Sequence, residues 1–82
     1  MGVVTTTSLE SEARKHGLLV ESRVINGVAV VLVKRERCAM PERPYVTWLY
    51  TDTSGLFWGH YDLSTGSAYE DFARRCEREL DI

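Results

Sequence analysis

At Asn26-Gly27 the chain carries the dipeptide that two-residue type I′ turns select, because both central residues of that turn need positive φ. Residues 18–25 and 28–35 on either side are rich in Val, Leu and Ile, so the segment is predicted to be a β-hairpin with Ile25 opposite Val28. That register puts Leu18, Val20, Val24, Ala29, Val31 and Val33 on one face. Leu19, Glu21, Arg23, Ile25, Val28, Val30 and Leu32 fall on the other. The second strand is apolar on both sides, the pattern of an interior strand or of one with a second covered face.

Residues 45–51 and 56–61 are aromatic and β-branched, and Asp52-Thr53-Ser54-Gly55 between them suits a type I turn closed by a glycine bulge. A second hairpin is predicted, with Trp48 opposite His60 and Tyr50 opposite Trp58. The charged stretch 34–44, with Pro41 and Pro44, is a loop joining the hairpins. Thr7-Ser8-Leu9-Glu10 resembles a capping box and predicts a helix over about residues 8–16, ending before Gly17. A second helix is predicted from Ser64 or Ser67 to about Leu80. Ala68, Phe72, Ala73, Cys76 and Leu80 form its packing stripe, and the pairs Glu70/Arg74, Asp71/Arg75 and Arg75/Glu79 face water.

The expected fold is therefore α+β: a short N-terminal helix, a four-stranded antiparallel sheet of two hairpins, and a C-terminal helix packed on one face. Both helices are free to cover the same face. With 82 residues, 44% of them hydrophobic, the chain holds one core and hence one domain over 1–82, whose first six residues are expected to be flexible. Domains this small often gain stability by self-association, which makes a homodimer plausible. A net charge of −2 opposes the attraction behind non-specific nucleic-acid binding. No basic region leads into an apolar run and no stretch approaches a membrane span, so a cytoplasmic protein with reduced Cys38 and Cys76 is expected. Met1-Gly2 with Thr6 meets only the loose N-myristoylation pattern.

Chemistry-bearing patterns are few. His16 and His60 have no His or Cys at metal-ligand spacing, and neither a metal nor a cofactor is expected. His60 and Asp62 could share a strand face as an acid/base pair, but the neighbouring sequence supplies no nucleophile, and phosphate-loop and hydrolase-elbow motifs are missing. Lys34, Arg35, Arg37 and Arg43, followed by Tyr45 and Trp48, have the composition of a nucleic-acid groove, interrupted by Glu36 and Glu42. The helix-strands-helix order resembles the double-stranded RNA-binding domain, yet Glu70 and Asp71 stand where that family places phosphate-binding lysines. A non-enzymatic chain is the expectation.

Six of the eight aromatic residues lie between Tyr45 and Tyr61. Alternation sends them to both sheet faces, more ring surface than two short helices on one face can cover. A partner-binding face is predicted from Trp48, Tyr50, Trp58 and His60, with Arg23 and Glu21 as polar neighbours. Glu70, Asp71 and Glu77 offer a second, acidic surface on the last helix.

Tyr45-Val46-Thr47-Trp48 and Phe57-Trp58-Gly59-His60-Tyr61, in a short, acidic, motif-poor α+β chain, resemble small phage and mobile-element proteins of the anti-CRISPR type. The resemblance implies a stoichiometric inhibitor that covers a working surface of a host defence complex. A homodimeric accessory protein and a weak nucleic-acid binder using the basic loop 34–43 are the alternatives.

Overall fold

The structure, a computed structural model, describes residues 3–36 and 41–80. Its elements follow the order α1 (Thr6–Arg14), β1 (Leu18–Ile25), β2 (Val28–Lys34), β3 (Tyr45–Thr51), β4 (Gly55–Leu63) and α2 (Thr65–Leu80). The strands form one antiparallel sheet in the order β1-β2-β3-β4. The α+β class is therefore as expected. Cys38 and Arg37, and the Met1-Gly2 myristoylation pattern, lie outside the described residues.

Asn26 and Gly27 have φ of 51° and 80°, the mirror-image turn their side chains permit, and Ile25 pairs with Val28. Toward the other end of β1 the register slips by one residue between Leu19 and Glu21. Leu19 thus aligns with Val33 and packs with the α1-side core, whereas Val20 joins the α2 side. This exchanges the two residues relative to the uninterrupted alternation, because a bulge inverts the facing of everything beyond it.

The two helices cover opposite faces of the sheet rather than sharing one. On the α1 face, Leu9 and Ala13 pack on Ala29, Val31, Val33, Val46, Trp48 and Tyr50. Across the sheet, Ala68, Phe72 and Cys76 of α2 pack on Ile25, Val30, Leu32 and Leu49. The reason lies in β2 and β3, whose apolar side chains point both ways. With both helices on one side, either Val30, Leu32 and Leu49 or Val31, Val33 and Val46 would face water, at about 1.5 to 3 kcal/mol for each large side chain.

Helix α1 begins two residues earlier than the capping box implies, so Thr7 lies inside its first turn. Thr5 holds the cap position without a side-chain bond to the helix. Its amide and hydroxyl donate instead to the Asp52 carboxylate in the β3–β4 turn, and the Asp52 amide donates to the Val3 carbonyl. The helix start is thereby tied to the second hairpin. The Thr5 hydroxyl and amide lower the pKa of Asp52 below the ordinary carboxylate value.

Candidate functional site

The second hairpin is less regular than its sequence suggests, and the irregularity builds the site. Thr51 pairs with Gly55 and Tyr50 with Leu56, and register shifts then bring Thr47 opposite His60 and Tyr45 opposite Leu63. The expected Trp48/His60 and Tyr50/Trp58 pairs do not form. Two non-glycine residues of β4, Trp58 and Asp62, take positive φ of 53° and 57°. Such residues sit there at a cost unless the surroundings fix them.

At Trp58 the fixing group is Arg75. Its guanidinium donates to the Trp58 carbonyl from a side chain only 6% exposed. Arg75 Nε lies 3.3 Å from Asp71 Oδ2, and the two oxygens of Asp71 lie 3.0 and 2.9 Å from His60 Nδ1. The hydroxyl of fully buried Thr47 donates to the same carboxylate. Arg75 Nε is also 3.3 Å from His60 Nδ1, but that nitrogen cannot donate to Asp71 and accept from Arg75 at once. A carboxylate is the stronger acceptor, which assigns the proton of neutral His60 to Nδ1 and leaves Nε2 free to accept.

Asp71, Arg75 and Glu79, one turn apart on α2, therefore face the sheet, whereas Ala73 and Leu80 are exposed. This corrects the expectation that the Asp71/Arg75 and Arg75/Glu79 pairs face water. Glu70 and Glu77 remain on the exposed side, so the proposed acidic surface loses Asp71. Burial raises the Asp71 pKa, but the Thr47 hydroxyl, His60 and Arg75 together outweigh it, and the carboxyl titrates below its ordinary 3.8.

A depressed carboxyl pKa stabilises the fold fully above the unfolded value and loses that contribution as pH falls through the folded one. Stability is accordingly expected to drop below about pH 4, and Asp71→Asn to flatten this acid limb. Urea midpoints measured from pH 7 down to pH 2 for the two proteins check it; parallel limbs would show that Asp71 does not set the acid response.

Beside this network a cavity of about 190 Å³ is lined by Leu49, Trp58, His60, Arg75, Arg78 and Glu79. Trp58 is 75% exposed, its ring edge-on to Phe57 at 5.5 Å. Trp48 and Tyr50, in contrast, are 3% and 2% exposed and belong to the α1-side core. They support the hairpin and present no surface to a partner. The Trp48 indole N–H donates to the Tyr61 hydroxyl at 3.0 Å across Gly59, where a Cβ would come within 2.6 Å of both rings. Tyr61 is half exposed and lies under the Arg35 guanidinium, which is paired with Asp62 at 2.8 Å. His60 therefore pairs with Asp71, while Asp62 is taken by Arg35.

Glu21 and Arg23 are exposed on β1, at the opposite edge of the sheet from Trp58 and His60. They cannot be polar neighbours of that site within one chain. Sequence reasoning found the exposed Trp58 and His60, missed Thr47 and Arg75, and set Asp71 on the exposed acidic surface rather than in this network. A signal was present: continuing the Ala68-Phe72-Cys76 stripe by three residues reaches Glu79, which places Arg75 on the packed face.

A His–Asp pair next to a cavity is the geometry of a general acid/base unit, but the Thr47 hydroxyl is committed to Asp71 and no nucleophile is bonded to His60 among the described residues. No group of three His, Cys, Asp or Glu among these residues could hold a metal ion, and no described helix is long and apolar enough to cross a membrane. Comparison with known proteins finds no matching family, no matching curated protein and no matching solved structure.

Proposed function

We propose that this chain is a non-enzymatic protein-binding module that docks through the exposed indole of Trp58, flanked by His60 and Arg78 at the mouth of the adjacent cavity. The carrying observation is a tryptophan 75% exposed whose own carbonyl is clamped by a buried arginine. Large aromatic anchors dominate interface energetics, and an anchor held rigid before binding loses less entropy when it docks. Leu49 and Arg78 beside it supply apolar floor and polar rim.

The resemblance to small mobile-element proteins of the anti-CRISPR type directs the choice of partner to a host defence complex, bound stoichiometrically in the cytoplasm. Calorimetric titration of purified defence complexes with the full chain measures both stoichiometry and affinity. Trp58→Ala is expected to weaken binding by about 2 kcal/mol or more, roughly thirtyfold, while leaving the thermal midpoint within a few degrees of the parent. Unchanged affinity in Trp58→Ala, or a loss seen only with Glu70→Ala and Glu77→Ala, would transfer the contact to the acidic side of α2.

A further inference from the structure

The two edges of the sheet are not equivalent. Positive-φ residues Trp58 and Asp62 interrupt β4, and such bulges prevent a second strand from pairing there. Along β1 the single register slip lies between Leu19 and Glu21, at the end away from the turn; from Glu21 to Ile25 the register is unbroken, and this stretch carries neither Lys nor Pro. Glu21, Ser22, Arg23 and Val24 are all exposed.

The direction of the free backbone groups follows from the turn. Ile25 and Val28 flank a two-residue loop and so form a hydrogen-bonded pair; the next such pairs are Arg23 with Val30 and Glu21 with Leu32. The amides and carbonyls of Ser22 and Val24 therefore point away from β2.

We propose that β1 pairs antiparallel with β1 of a second copy about a two-fold axis at Ser22, joining two four-stranded sheets into one. Ser22 then exchanges both backbone hydrogen bonds with Ser22 of the second copy. Glu21 faces Arg23 of the second copy, and Arg23 its Glu21, so the edge is complementary to itself in charge as well as in hydrogen bonding. Both side chains lie on the α2 face, where their opposite fields act on the buried Cys76 thiol, whose pKa burial raises. An axis at Val24, the other outward residue, would set Arg23 against Ile25 and leave every charge unmatched. The surface is distinct from the Trp58 site, at the far edge of the sheet.

Sedimentation equilibrium of the full chain over a wide concentration range tests the pairing. A reversible monomer–dimer equilibrium is expected. Arg23→Glu places four acids around the axis and should raise the dimer Kd at least about tenfold, and the swap Glu21→Arg/Arg23→Glu should return it to within about threefold of the parent. Ser22→Pro removes an amide hydrogen that β2 does not use, so it should abolish the dimer while the circular dichroism spectrum stays that of a folded monomer. A chain that is monomeric at every concentration overturns the proposal. So does a dimer indifferent to Arg23→Glu, or a charge swap that fails to restore association.

Discussion

Arg75→Met is expected to lower folding stability by about 3 to 5 kcal/mol. Arg75 is 6% exposed, and burial pulls its pKa down while Asp71 opposes the shift. Removing the guanidinium leaves the Asp71 carboxylate without its cation in a site where its side chain is only 16% exposed. The Trp58 carbonyl loses its donor in the same step, and with it the contact that fixes a positive-φ aromatic residue. Urea unfolding measures the loss, with the exposed Arg74→Met as a control expected to stay within about 0.5 kcal/mol. Adding Asp71→Asn to Arg75→Met should recover part of the stability, because it removes the stranded charge. Equal losses for Arg74→Met and Arg75→Met would mean that α2 packs by a different face. The same substitution bears on binding: a Trp58 backbone without its clamp should give weaker docking even where the domain remains folded.

What the sequence disclosed, and what it concealed, divides along the same chemistry. The first hairpin was legible because Asn-Gly admits few alternatives; the exposed ring at Trp58 was named from a premise the fold removes, two helices on one face, since each face has its own helix. Alternation alone could not say which rings would be the buried ones. It separates Trp48 and Tyr50 from Leu49, but depth depends on which face α1 lies against. The bulge at Trp58 left no local trace, since a bulky aromatic residue is disfavoured at positive φ, whereas Asp62 is of a type that adopts it more readily. The charges of α2 were actively misleading. Asp71 and Arg75 four residues apart look like a solvated ion pair, the commoner case, whereas here the pair is folded under the helix to satisfy Thr47, His60 and the Trp58 carbonyl. A helix whose opposite charges fall between apolar positions deserves both readings.

The connection from α1 to β1 is packed tightest at Gly17, and Gly17→Ala should cost about 3 kcal/mol. A Cβ there would lie 2.3 Å from the Lys34 carbonyl oxygen and 2.9 Å from Arg35 Cα, both backbone atoms. Neither can withdraw cheaply: Lys34 pairs with Leu18 and Tyr45, and the Arg35 amide donates to the Pro44 carbonyl at 2.8 Å. The glycine is thus a contact point between the α1–β1 connection and the end of β2, with no room for any side chain. Two other glycines calibrate the effect. Gly55 has φ of 69° but open space around it, so alanine there should cost only about 1 kcal/mol, the left-handed backbone penalty. Gly66 sits in α2 with nothing within 4 Å, and alanine should add about 0.5 to 1 kcal/mol by raising helix propensity. Thermal unfolding of the three variants should therefore rank Gly66→Ala above the parent, Gly55→Ala below it and Gly17→Ala lowest. If Gly17→Ala melted with the parent, the α1–β1 connection would not be held against the end of β2.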